Sequence, residues 1–111
     1  MDAALAISAL GSLAQEHRLA IFRLLVQAGK AGKPAGAIAE ALGVPNSSLS
    51  FHLAHLHRAG LIRQERRSRS LIYSADYGAM NTLVGFLMEN CCAGAACAPV
   101  SAPSKPERKS A

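Results

Sequence analysis

Glycine and proline residues divide the first half of the chain into short segments, each with the hydrophobic spacing of an α-helix. The segments cover residues 3–13, 15–28, 36–42 and 47–59. Gly43 stands where a helix C-terminal cap is expected, and Val44-Pro45 then makes a tight turn before Asn46, the expected N-cap of the fourth helix. This spacing predicts that the third and fourth helices pack as a helix-turn-helix.

The hydrophobic pattern then changes from helical spacing to that of short strands. Residues 61–66 and 70–74 are predicted to form two strands, joined by the polar, basic turn Arg67-Ser68-Arg69. Asp76 is expected to cap a last helix, which runs over 77–90 and carries apolar residues at helical spacing. The predicted fold is therefore mainly α with a small β-hairpin, in the order α-α-α-α-β-β-α of a winged helix-turn-helix.

The length of 111 residues is that of one domain with a single core. Half of the residues are hydrophobic, which excludes a chain that is disordered throughout. Three of the five prolines follow residue 97. We therefore expect a folded domain over 1–97 and a disordered tail over 98–111 that is rich in proline, lysine and arginine.

The charge balance of 12 basic against 7 acidic residues gives a net charge of +5, which favours a polyanionic partner, nucleic acid before membrane. No apolar run is long enough to span a membrane, and the N-terminus lacks the basic region of a signal peptide. The odd number of cysteines, three, favours reduced thiols. We therefore expect a cytoplasmic protein.

The helix-turn-helix and the basic hairpin after it together predict binding to double-stranded DNA. The second helix of such a pair enters the major groove and presents its N-terminal residues to base edges, and a basic hairpin suits the phosphate backbone or the minor groove. The side chains expected to contact DNA are Ser47, Ser48, Ser50, His52, Arg66, Arg67 and Arg69. His52 is expected to face away from the apolar stripe of its helix. Either feature alone also occurs in proteins that do not bind DNA, the hairpin as a solvated surface.

The cysteines of the chain, Cys91, Cys92 and Cys97, lie within seven residues at the end of the last predicted helix. Three thiolates with no acidic or imidazole ligand in the loop make a soft, three-coordinate set that suits arsenic(III) or antimony(III), whereas structural zinc takes four ligands. Two other interpretations stay open. The thiols could pack as small apolar residues in an interface, or they could sense oxidants by forming disulfides.

The segment 13–25, Leu-Ala-Gln-Glu-His-Arg-Leu-Ala-Ile-Phe-Arg-Leu-Leu, resembles the opening helix of the ArsR/SmtB family of winged-helix metalloregulators. The segment 47–53, followed by Leu56 and by Ala-Gly-Leu-Ile at 59–62, resembles the recognition helix of that family. The resemblance covers about residues 3–97. It implies a homodimer formed through the first and last helices, which represses transcription on a palindromic operator until metal binds.

The sequence Glu89-Asn90-Cys91-Cys92, with a third cysteine a few residues on, resembles the arsenite-responsive branch of the family, whose ligands lie at the end of the last helix. This resemblance implies that Cys91, Cys92 and Cys97 bind arsenite or antimonite as the inducer, with no catalytic cofactor.

The sequence also departs from other branches of this family. Residues 37–42 contain no thiol, so the arsenic and cadmium site before the turn is absent, and residues 77–90 contain no histidine to complete a zinc site with Asp76. Phe51 occupies a recognition-helix position that is polar in many relatives.

Two rival functions remain beside the arsenite-responsive repressor. One is the same repressor responding to organoarsenicals, another soft metal or oxidants, and the other is a DNA-binding module without a ligand. An enzyme is not expected. All four histidines lie in the helix-turn-helix half, and the sequence shows no paired carboxylates, phosphate loop or nucleophile–base pair.

Overall fold

The computed structural model describes residues 1–94, in which five helices pack around a small antiparallel sheet. The elements are α1 (Ala3–Leu13), α2 (Glu16–Ala28), β1 (Lys33–Pro34), α3 (Ala35–Leu42), α4 (Asn46–Arg58), β2 (Ile62–Arg67), β3 (Ser70–Ala75), α5 (Tyr77–Leu87) and a 3-10 turn, Cys91–Gly94. The predicted order of helices and hairpin is confirmed, with β1 as an addition. Cys97 and the predicted tail 98–111 lie outside the described residues.

Local side-chain chemistry explains where most of the helices begin. Asp2 accepts a hydrogen bond from the Leu5 N–H at 2.8 Å at the start of α1, and Asp76 accepts one from the Ala79 N–H at 2.9 Å at the start of α5. The predicted cap at Asp76 is thus confirmed. The predicted cap at Asn46 is wrong, because Pro45 holds the cap position in extended conformation and Asn46 is already helical.

The sequence predicts the C-terminal end of α3 correctly but places that of α5 too late. Gly43 ends α3 in the left-handed conformation, φ +67°, and its N–H donates to the Ala39 carbonyl, as predicted for a C-terminal cap. Helix α5 ends at Leu87, earlier than the predicted Asn90, and Asn90 has a positive φ of 58°. The cysteine segment therefore begins after the helix has stopped.

The sheet has the strand order β1-β3-β2. In the hairpin Ile62 lies opposite Ala75 and Arg67 opposite Ser70, while on the other side of β3 Lys33 pairs with Tyr73. Gly32 allows this second pairing, because it has φ +67° and a Cβ there would collide with the Tyr73 carbonyl oxygen. The wing, which we define as residues 62–75, thus supplies two strands of a three-stranded sheet and is not an isolated hairpin.

One hydrophobic core lies between the helices and the base of the wing. Every long helix and the start of β2 contribute buried side chains to it, each less than 5% exposed. These are Ala6, Ala9, Ile21, Phe22, Leu25, Ile38, Val44, Leu49, Leu53, Leu56, Leu61, Ile62, Ala75 and Leu83. Burial of a leucine-sized side chain contributes roughly 1.5–3 kcal/mol, so the three leucines of α4 alone hold that helix firmly on the core.

Helices α1 and α5 pack against each other and leave apolar side chains in solvent. Ile7 is 69% exposed and Leu87 is 55% exposed, and Leu5 and Leu10 add to this apolar surface. No helix in residues 1–94 is both long enough and apolar enough to cross a membrane.

Candidate nucleic-acid interface and terminal cysteines

Helix α4 presents small polar side chains, together with the large apolar Phe51, at the surface of the molecule. Of the predicted contact residues, Ser47 and Ser50 are exposed and Ser48 is half-buried. No side chain caps the N-terminus of this helix. The first-turn N–H groups and the positive end of the helix dipole therefore favour an anionic partner such as a phosphate.

His52, in contrast, does not face solvent, and the sequence-based orientation of this residue is wrong. Its side chain is buried, because helix α2 packs on that side of α4. The Arg18 guanidinium can only donate hydrogen bonds, and its Nη1 donates to His52 Nδ1 at 3.3 Å. The centroid of the His17 ring lies 5.5 Å from that of the His52 ring. Burial lowers the pKa of His52 below its ordinary value, and the charges of Arg18, His17 and His55 lower it further.

A polar network that the sequence analysis missed ties α4 to the two N-terminal helices. Arg18 Nε donates to the Ser12 carbonyl oxygen at 2.7 Å, and Ser12 Oγ, which is fully buried, lies 3.0 Å from His55 Nδ1. The available signal was the position of Arg18, which lies at helical spacing from the apolar residues Ile21, Phe22 and Leu25 and so shares their face of α2. The network fixes the recognition helix relative to α1 and α2.

The wing carries the other predicted contacts, and the structure divides its arginines into two kinds. Arg67 pairs with Glu65 at 3.0 Å and donates to the Ala31 carbonyl at 3.1 Å, so it is tied to the chain before β1. Arg66 and Arg69 are exposed and pair with no carboxylate within residues 1–94. These two guanidinium groups are the ones positioned to meet phosphates without first breaking an ion pair.

The first two cysteines lie in the short 3-10 turn that follows α5. Cys91 is half-buried and Cys92 is exposed, and Cys92 and Ala93 both have positive φ angles, 57° and 54°. The first two predicted ligands are consecutive residues of this turn, while Cys97 falls outside the described residues. Within residues 1–94, no three histidine, cysteine or acidic side chains are grouped so as to hold a metal ion.

Known proteins resemble this chain in both sequence and fold. A family model described as a helix-turn-helix domain matches residues 13–65. Nodulation protein NolR of Rhizobium meliloti is 32% identical over 88 residues, which are 79% of this chain and 70% of that protein. The HTH-type transcriptional regulator YgaV of Escherichia coli strain K12 is 30% identical over 79 residues, 71% of this chain and 80% of that protein.

Among solved structures, an ArsR-like transcriptional regulator from Rhodococcus sp. RHA1 superposes with a TM-score of 0.71 at 25% identity, and the match covers 82% of each chain. The share of the chain that this structure matches is larger than the segment 13–65 matched by the family model. The likeness therefore extends beyond the DNA-reading helices to the whole winged-helix arrangement.

Proposed function

The chain belongs to the ArsR family of winged helix-turn-helix transcriptional regulators, and from that premise we propose that it is a homodimeric repressor released from its operator by arsenite or antimonite. It is a DNA-binding regulator and not an enzyme. The proposed inducer ligands are Cys91, Cys92 and Cys97. The observation that carries the proposal is the pair of adjacent thiols in a left-handed turn at the end of α5.

The chemistry of a three-thiol site suits a trivalent metalloid better than zinc. Neutral arsenious acid condenses with three thiols, forms three arsenic–sulfur bonds and releases three water molecules, which leaves a neutral complex. Zinc held by three thiolates would keep a net negative charge at the negative end of α5 and would lack its usual fourth protein ligand. Reduced thiols also suit the cytoplasm, where we propose that the regulator acts.

On DNA, we assign base-edge and phosphate contacts to Ser47, Ser48 and Ser50 at the start of α4. Arg66 and Arg69 supply phosphate contacts from the wing, and Arg67 joins them if its exposed pair with Glu65 opens, which costs little because such pairs contribute about 0–1 kcal/mol. His52 is left out of this contact surface because it is buried.

The proposed dimer interface is the apolar surface of α1 and α5, with a second copy of the chain as its occupant. Leu5, Ile7 and Leu87 are each more than half exposed, and they become buried if two copies pair there. Binding of the inducer draws the chain after Cys92 back onto the turn and reshapes the end of α5. A shift at that interface alters the separation of two recognition helices, which must match half-sites ~34 Å apart.

The test is fluorescence anisotropy of the reduced protein on labelled DNA from its own promoter. Arsenite is titrated in, with zinc and methylarsenite in parallel. Release by arsenite but not by zinc, with a coupling of about 5- to 150-fold in affinity, is the expected result. Cys91→Ser, Cys92→Ser and Cys97→Ser should each bind DNA normally and lose release. Ala93→Ser changes the same turn without removing a thiol and serves as the matched control.

Other outcomes of this experiment separate the rival functions. Release by arsenite from all three serine variants contradicts the three-thiol site. Release only by methylarsenite, with one cysteine dispensable, indicates a two-thiol organoarsenical sensor. Release by an oxidant alone indicates a redox sensor, for which the exposed Cys92 beside Cys91 is suitably placed. Tight binding that no compound affects leaves a module without a ligand.

A further inference from the structure

We propose that Phe51 is a specificity-determining residue that recognises the C5-methyl group of thymine in the major groove. The inference rests on the DNA-binding part of the proposed function and not on the identity of the inducer. Phe51 is 59% exposed, whereas Leu49, Leu53 and Leu56 of the same helix are at most 2% exposed. It is therefore the one large apolar side chain that α4 leaves in solvent.

The neighbours of Phe51 on the helix surface leave its ring prominent. At helical spacing, Ser47 lies one turn before it and Ala54 one turn after it, and both are exposed. These small side chains allow the helix backbone to approach the groove closely. The phenyl ring consequently extends beyond them, toward the floor of the groove where base edges are displayed.

The ring is also supported from one side, so its direction is set before DNA is met. Its centroid lies 5.5 Å from that of His52 and 6.2 Å from that of His55, with interplanar angles of 67° and 65°. Both contacts have the edge-to-face geometry that aromatic rings prefer. The two imidazoles are themselves held by Arg18 and Ser12. A side chain ordered in advance loses less conformational entropy when it binds.

The chemistry of the ring selects its partner among the groups of the major groove. A phenyl ring has no hydrogen-bond donor or acceptor, so it cannot pair with the nitrogen and oxygen atoms of base edges. The apolar group displayed there is the thymine methyl, which is absent from cytosine and from uracil. A polar residue at this position would instead read donors and acceptors. Phe51 thus gives the regulator a preference for thymine at one position of each half-site.

The test compares thymine with deoxyuridine, which differ only in that methyl group. Duplexes that bind the wild-type protein are first selected from a random DNA pool without arsenite, and each thymine is then replaced in turn. Burial of one methyl group corresponds to about fourfold in affinity, so wild type should lose about fourfold for one half-site and about 15-fold for both. Phe51→Ala should bind the two forms equally, while Phe51→Leu should keep part of the preference.

Controls distinguish a direct contact from a structural effect. Ala54→Ser changes the other small, exposed neighbour, to which no DNA contact is assigned, and keeps the ring, so it should retain the thymine preference. Thermal unfolding checks that Phe51→Ala is folded, and measurements at low salt keep weak complexes in range because all affinities rise there. The proposal is overturned if wild type shows no thymine preference at any position, or if Phe51→Ala keeps it.

The thymine-preference experiment is independent of the proposal that the protein responds to arsenite, since no inducer is present in it. A regulator that ignores arsenite can still prefer thymine through Phe51, and a regulator that responds to arsenite can lack that preference. If no duplex is selected from the pool, the DNA-binding premise and this proposal fall together. If Phe51→Ala instead changes the oligomeric state in sedimentation, with the preference intact, Phe51 contacts protein and the proposal is wrong.

Discussion

Helix α4 and the turn that follows α5 are built in opposite ways. Three buried leucines hold α4 on the core, and the Arg18 network ties His52 and His55 of the same helix to α1 and α2. In the 3-10 turn Cys91–Gly94, residues 91–93 are not among the buried core residues, and Cys92 and Ala93 have left-handed backbone angles. Long-range packing determines the first element, whereas local backbone conformation shapes the second.

This difference matches what each element is proposed to do. A helix that reads DNA must present the same side chains in the same geometry to every operator. A segment that responds to a ligand needs a second conformation of similar free energy, which a weakly packed turn provides and a buried helix does not.

The strongest test compares one buried residue of α4 with one exposed residue of the turn. Leu56→Ala should lower the free energy of unfolding by about 2–5 kcal/mol, because Leu56 is fully buried and a cavity remains. Cys92→Ala should change it by less than about 0.5 kcal/mol, because Cys92 is exposed. Urea unfolding measures both. Similar losses for the two variants would show that the turn is part of the core.

A second test concerns the polar network. Arg18→Met should lower the free energy of unfolding by about 1–3 kcal/mol, because His52 Nδ1 and the Ser12 carbonyl lose their donor at a partly buried position. The affinity for DNA should fall as well. Arg23→Met, on the exposed side of the same helix, is the matched control and should leave both nearly unchanged. If the Arg18 variant keeps full affinity, the network does not position α4.

The third test separates the two kinds of wing arginine by salt dependence. Arg66→Ala should weaken binding to all sequences alike and reduce the slope of log affinity against log salt by about 1.8 for a dimer, one phosphate per protomer. Arg67→Ala should reduce that slope less, because Arg67 is already paired with Glu65. Anisotropy titrations at several salt concentrations measure both slopes. Equal changes would mean that the Glu65 pair opens on DNA.

The smallest effect is a pH dependence of stability from His52. Because the folded protein lowers the pKa of His52, the unfolded chain binds more protons between the folded pKa and the ordinary value of 6.5. Stability should therefore be complete above pH 6.5 and fall as the pH drops toward the folded pKa. His52→Gln should flatten this part of the stability curve, whereas the exposed His57→Gln should keep it. An unchanged curve in the His52 variant contradicts a buried, neutral imidazole.

Patterns of residues that are close in sequence are sufficient to predict much of this fold. The helical spacing, the strand-like hairpin and the cap at Asp76 each depend on residues close in sequence, and the structure confirms them. Strand β1 was missed because Lys33 and Pro34 form a strand only by pairing with Tyr73 and Ile72, far along the chain. The burial of His52 was missed for the same reason, since α2 and not α4 determines it.

The residues of the candidate site also differ in whether local sequence or long-range structure determines their position. The residues Ser47, Ser50, Arg66 and Arg69, predicted from the sequence to contact DNA, are exposed, because helix N-terminal and hairpin positions are local properties. Their contact with DNA stays a prediction. The cysteine ligand set stays a prediction, since bringing Cys97 to Cys91 depends on the path of the chain beyond the described residues. In the sequence Phe51 is only a departure from relatives, and the role proposed for it rests on its exposure and ring contacts.

The pairing of β1 with β3 has a consequence for the lifetime of the complex with DNA. A two-stranded hairpin alone is marginally stable in water, but a third strand and the bond from Arg67 to Ala31 keep this wing ordered before it meets DNA. Association then requires no folding step, so related operators should differ little in their association rates. The differences should instead appear in the residence time of the protein on each operator, which is set by the rate at which the protein dissociates.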